Sequence, residues 1–186
     1  MSKVSIKPSI ILDFALGLTK AEGIDTLTFR SLAKHMSIST FPIVQHFGTK
    51  AGLVQAVQLT LEQELEEMVA EVKSLRRYID LLLGYTLFAW KEPKAFPAIK
   101  SYLTEKKGAS AKENLIQAMK SSGDFDQFSD REFFTALGRL EIFNHGLSDL
   151  ACRGGLHNPS QKGITEFFCD AVNDLVFGGK HEPFFP

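Results

Sequence analysis

Apolar residues recur at steps of three and four along most of the chain, and runs alternating at every second position are scarce. The pattern predicts an all-α protein. A first helix over about 8–21 starts with Pro8 in its first turn and turns Ile11, Phe14, Ala15 and Leu18 inward, with Gly23 as a left-handed stop. A short helix capped by Thr28 follows and faces Phe29, Leu32, Ala33 and Met36 inward. Ser37, Ile38 and Ser39 form a turn. The next stretch, "STFPIVQHFGTK", reads as another short helix with Ser39 as its cap, although Pro42 lies inside it. Early helical N–H groups have no intrahelical acceptor, and the carbonyl four residues back belongs to Ile38, outside the helix. Pro42 therefore marks a helix start. With Ser39 as cap, the serine hydroxyl would take the Phe41 N–H.

Thr49 is placed to cap a long helix over about 50–73, whose Leu53, Val57, Leu61, Leu65, Met68 and Val72 share one face. Further helices are predicted over about 74–91, 95–103, 110–121, 130–152 and 160–177, with Ser129 or Asp130 capping the one that begins near 130. The segment "GGKHEPFFP" has no regular pattern and is expected to be loosely held. The organisation expected is a head over 1–50 and a helical body over 51–186.

Composition narrows the classes. With 186 residues, 44% of them hydrophobic, the chain can bury a sizeable core. No apolar run reaches the ~18 residues of a membrane span, and no secretory leader pattern is present, so a cytoplasmic protein without membrane contact is expected. Cys152 and Cys169 read as reduced thiols. Charge is uneven: residues 1–50 carry six Lys/Arg against three acids, hence +3, and residues 51–186 carry fifteen against nineteen, hence −4. A mildly basic head suggests an anionic partner.

Three short helices with a three-residue turn between the second and third make a helix-turn-helix, whose last helix can enter a DNA major groove. The segment "LTFRSLAKHMSISTFPIVQHFGTKAGLV" resembles the DNA-binding head of the TetR family of transcriptional regulators. Leu27-Thr28, Leu32-Ala33, Ser37-Ile38-Ser39, Ile43-Val44, His46-Phe47, Lys50 and Leu53 occupy the places of that family's pattern, which the chain follows over about residues 8–57. Two positions depart. Ser37 stands where the pattern has glycine in a left-handed turn, at a cost of about 1 kcal/mol. Val44 stands where the pattern has a phosphate-gripping tyrosine, which leaves the contact set one anchor short.

The resemblance implies a homodimer on a double-stranded palindromic operator. Thr28, Thr40 and Lys50 are expected at phosphates, with His46 near them unless it serves as a cap or core residue. Ser39 starts the inserted helix. Arg30 suits a guanine edge, Gln45 an adenine edge, and Phe41 a thymine methyl unless it packs as an apolar lid. The resemblance also implies a body that binds a small molecule and pairs through its last two helices. The interface expected is Phe133, Leu137, Leu140, Leu147 and Ala151 on one helix and Ile164, Phe167, Phe168, Ala171 and Leu175 on the other, with Gly138 and Gly146 allowing close approach. Aromatic residues near polar groups are the pocket candidates: Tyr85, Phe88, Trp90, Phe96, Tyr102, Phe125, Phe134, Phe143, Asn144 and His145. Aromatics at helical spacing also serve as plain core. Abundant phenylalanine points to an apolar or aromatic effector.

Enzymatic readings find little support. Glu141, His145 and Asp149 stand four apart on one helix and could hold a metal, but an ion-pair ladder explains them more simply. No phosphate-cradling glycine loop or nucleophile motif is present, and no cofactor is expected. The reading is a ligand-responsive regulator, most simply a repressor. The alternatives are a DNA-binding protein governed by a protein partner and an enzyme with a vestigial head.

Overall fold

The computed structural model describes residues 6–185, and every regular element among them is helical. In order these are α1 (Pro8–Glu22), α2 (Phe29–His35), α3 (Phe41–Phe47), α4 (Lys50–Val72), α5 (Arg77–Lys91), α6 (Phe96–Tyr102), α7 (Gly108–Lys120), α8 (Asp130–Cys152) and α9 (Gln161–Val172). A 3-10 turn at Ile24–Thr26 and wider π turns at Leu103–Lys107 and Asn173–Phe177 join or extend them. No helix among the described residues is long and apolar enough to cross a membrane. The chain divides into two compact units. One runs to Glu64 and takes in Lys94–Tyr102; the other holds Leu65–Pro93 and the residues from Leu103 onward.

The first unit closes around fully buried Ile11, Ala15, Leu27, Leu32, Ile43, Leu53, Val57 and Leu61. Phe14, expected on the buried stripe of α1, is instead 41% exposed and lies edge-on to His35. At the other edge of α1, Lys20 pairs with Glu64 at 2.8 Å.

In the second unit α5 and α8 form the central pair. A Cβ on Gly84 would come within 2.8 Å of the Val69 backbone, so only glycine lets α5 approach α4 so closely. The Thr86 hydroxyl donates to the Asn144 side-chain carbonyl at 3.0 Å and lies 3.0 Å from the Ser148 hydroxyl, a buried polar contact within an apolar core. Ser129 caps α8 reciprocally: its hydroxyl accepts from the Glu132 N–H, and the Glu132 carboxylate accepts from the Ser129 N–H. The Ser129 hydroxyl also donates to that carboxylate at 2.6 Å, and this bond, followed by the one from the Ser129 N–H, holds the Glu132 carboxyl below its ordinary range.

Segment 178–185 is not loose, as its composition suggested. Phe184 is buried, and its carbonyl accepts from the Leu75 N–H at 2.8 Å. His181 stacks on Phe184 and sits 3.2 Å from the Asp124 carboxylate. Asp124 also accepts from Arg76 Nε at 2.6 and 2.8 Å and from the Tyr78 hydroxyl at 2.9 Å. Burial, followed by the Asp124 charge, pushes the Tyr78 phenol well above its usual range. Besides local contacts to Asn173 and Phe177, contacts to residues about 60 to 110 positions away hold the segment, and local patterning carries no trace of those.

The expected dimer face also needs correcting. Phe133, Leu137, Leu140, Leu147 and Ala151 of α8, with Ile164 and Phe168 of α9, lie in the subunit's own core at 7% exposure or less, so they cannot be offered to a second copy. Ala171 is half-buried. Of the expected set, Phe167 and Leu175 are exposed, and α8 adds Phe134, Ile142 and Leu150 on its outer side.

Candidate nucleic-acid interface

The α2–turn–α3 segment is built from local hydrogen bonds. Thr28 has an extended backbone, and its hydroxyl accepts from the Ser31 N–H at 3.0 Å, while the Ser31 hydroxyl accepts from the Thr28 N–H at 2.9 Å. At the far end of α2 the Ile38 N–H reaches the Ala33 carbonyl at 3.0 Å and the Ser37 N–H reaches the Lys34 carbonyl at 3.2 Å. This is a Schellman stop, and it requires a left-handed residue at position 37. Ser37 adopts φ 54 there.

The start of α3 differs from expectation by one residue. The Val44 N–H bonds to the Thr40 carbonyl at 3.0 Å, so Thr40 is the cap residue and Pro42 is second in the helix. A capping side chain reaches the first N–H groups from an extended backbone. Thr40 is already helical at φ −70, ψ −14, and no side chain caps α3. Pro42 donates no N–H and needs no cap, so the missing hydrogen bond is cheap. Ser39 and Thr40 are both exposed.

Fully buried Ile43 and half-buried Phe47 anchor α3 to the unit, while Phe41, Val44, Gln45 and His46 face solvent. The His46 Nε2–H donates to the Ile6 carbonyl at 3.0 Å, tying α3 to the segment before α1. That bond orients the exposed ring. Thr49 caps α4 by accepting from the Gly52 N–H at 3.0 Å, which places exposed Lys50 at the first residue of that helix. Gly52 was missed: a Cβ there would lie 2.4 Å from the Phe47 carbonyl, so the corner between α3 and α4 demands glycine. A glycine in the first turn of a helix was the available signal. Arg30 is exposed on the outer side of α2.

The charge along this stretch of sequence is one-sided. From Thr26 to Leu61 the chain has Arg30, Lys34 and Lys50, with His35 and His46, and no carboxylate. An exposed, short helix within a stretch of sequence free of carboxylates suits the polyanionic walls of a DNA groove.

Solved structures with the same arrangement are regulators. A TetR-like transcriptional regulator from Rhodococcus sp. RHA1 superimposes with a TM-score of 0.62 at 15% identity, over 96% of this chain and 98% of that one. A TetR variant from Acinetobacter baumannii AYE, in complex with minocycline, superimposes with a TM-score of 0.59 at 17% identity, over 93% and 96% of the two chains. The chain has the TetR fold. No protein-family model and no curated protein matches its sequence. At such identities the likeness carries the TetR fold alone.

The pocket candidates do not converge on one site. Phe96 and Tyr102 are buried in the first unit. Phe88 is fully buried in the second, and the Asn144 side-chain oxygen is taken by Thr86. Tyr85 meets exposed His145 edge-on at 6.0 Å, and burial raises its phenol above the ordinary range. Trp90 and Phe143 are half-buried in the core, and exposed Phe134 borders a small cavity of about 170 Å3 together with buried Phe125. The wider space is elsewhere: a groove of about 1030 Å3 lined by Leu83 and Leu87 of α5, the outer side of α9 and residues 181–185. The supposed metal trio also separates. Glu141 pairs with Lys112 at 3.3 Å and Asp149 with Arg153 at 3.1 Å, and no group of three metal-ligating side chains occurs among the described residues.

Proposed function

We propose that this chain is a TetR-type, ligand-responsive transcriptional regulator that binds a palindromic operator as a homodimer and acts as a repressor. The observation that carries the reading is the exposed α3, held by a capped α2 and a Schellman turn in a stretch without carboxylates. Arg30 and Gln45 contact base edges; Thr40, Ser39 and Lys50 grip phosphates. Thr28 spends its hydroxyl on capping and contributes through position.

Two heads require two copies. On α8, Phe134, Gly138, Ile142, Gly146 and Leu150 follow one another at steps of four, opposite the buried stripe, and Ile142 is 77% exposed. Gly138 and Gly146 have open space where a Cβ would stand. A ridge of large side chains separated by glycine gaps suits a second copy of itself across a twofold axis, with Phe167 of α9 alongside. The effector is a small apolar or aromatic molecule, which the groove beside α9, lined by Glu71, Lys162, Glu166 and Asp170 as well as Leu83 and Leu87, does not match. It releases DNA by favouring a head separation that no longer fits the operator.

The test is binding to DNA upstream of the protein's own coding sequence at two salt concentrations, beside Ile142→Arg in sedimentation. Specific binding that weakens steeply with salt, and a variant that becomes monomeric and loses operator affinity, are expected. Equal affinity for random DNA would remove the regulator reading.

A further inference from the structure

We infer that the groove beside α9 binds a small organic cation, an amine or quaternary ammonium on an apolar or aromatic body, in addition to the neutral effector. The groove lies within the second unit and encloses about 1030 Å3, at the upper end of what a drug-sized molecule fills. Its floor is apolar: buried Leu83 and Leu87 lie beneath it, and half-buried Val72 and Phe185 line it. Its rim is acidic. Four carboxylates, Glu71, Glu166, Asp170 and Glu182, stand against one ammonium, Lys162.

Lys162 is already engaged, 3.6 Å from Glu166. Among the described residues the carboxylates of Glu71, Asp170 and Glu182 have no ion pair or hydrogen bond. They come from the end of α4, from α9 and from the docked tail, so tertiary structure gathers them, not the solvated face of one helix. Phe184 and His181 hold that tail through Leu75 and Asp124, which fixes where Glu182 stands. Burial, followed by the Asp170 charge, raises the Cys169 thiol, so the acidic field reaches the groove wall as well as bulk water. A neutral guest would strip water from unpaired carboxylates without replacing it, and an anion would be repelled. A cation with an apolar body answers both the rim and the floor. On α9 the groove side carries Lys162, Glu166 and Asp170, and Phe167 is turned about 100° from Glu166. A second copy seated on Phe167 therefore leaves the groove open.

The experiment titrates the full-length protein with dansylcadaverine, an aromatic primary amine whose emission rises in an apolar setting, and with its N-acetyl derivative, which keeps the body and removes the charge. Saturable binding is expected, with the amine held roughly thirtyfold more tightly than the acetyl derivative at low salt and only about threefold at about 0.5 M salt. Glu71→Gln, Asp170→Asn and Glu182→Gln should each weaken the amine about two- to fivefold, and the triple variant roughly thirtyfold, with the acetyl derivative unchanged. All three positions are exposed, and circular dichroism of the variants checks that the fold persists. Glu22→Gln, in the first unit, should alter neither ligand, and Thr165→Trp, which fills the groove, should abolish both. Equal affinity for the amine and its acetyl derivative, no saturable binding of the amine, or a triple variant that binds it as before would overturn the proposal. So would a lysine-rich peptide that binds where the amine does not, which would give the groove to a basic protein segment. None of these results bears on the preference for operator DNA, which tests the regulator reading separately.

Discussion

Replacing Ser37 by glycine should stabilise the protein. The serine occupies the left-handed residue of the α2 stop at φ 54, and its side chain is exposed. An L-residue in that conformation costs roughly 1–2 kcal/mol, which glycine avoids. Glycine gives back about 0.4–1 kcal/mol by loosening the unfolded chain. Among the described residues the hydroxyl makes no hydrogen bond that would be lost. The balance is a gain of about 0.5–1 kcal/mol, read as a higher urea midpoint at unchanged slope and a melting point raised by roughly 2–4 °C if unfolding is cooperative. Ser37→Ala is the control: it keeps the strained backbone and should gain nothing. The turn keeps its shape in both variants, so operator affinity should stay within twofold. A midpoint unmoved or lowered by glycine, or raised equally by alanine, would refute the strain argument.

Gly84→Ala should cost about 1–3 kcal/mol in urea unfolding, because its Cβ would sit 2.7 Å from Val69 Cγ2 and 2.8 Å from Val69 Cα; a neutral outcome would mean that α4 and α5 do not approach so closely. Arg76→Ala leaves the Asp124 side chain, 4% exposed, without its guanidinium and should cost about 2–3 kcal/mol, with Arg76→Lys intermediate; a loss below about 0.5 kcal/mol would deny the cluster its structural role. Burial pushes the Cys169 thiol up to about 11, so its neutral form prevails at ordinary pH. In a Cys152→Ser background, a disulfide reagent at pH 8 should label Cys169 roughly a hundredfold more slowly than a solvated thiol, with the rate rising about tenfold per pH unit toward 11. Labelling at the solvated rate would place that thiol in water.

Helix starts and stops were legible because the groups that make them lie within a few residues. Thr28, Thr49 and Ser129 each cap the helix that their sequence context indicates, and α8 spans the residues that its periodicity marked. The left-handed backbone of Ser37, at φ 54, was expected only from the resemblance, whose pattern has glycine there. The cap of α3 moved from Ser39 to Thr40 because two adjacent hydroxyl residues are equivalent in pattern and differ only in backbone angle. Which side of α8 is core was not legible. The Phe133 and Phe134 stripes are both apolar, and only the packing of α5 against α8 buries the first and leaves the second in water. The aromatic candidates failed to gather for the same reason: periodicity places a ring on a face, while a cavity is the space that distant elements leave between them. The docking of Phe184 and His181 depends on Leu75 and Asp124, far away along the chain, and tertiary structure alone brings those groups together.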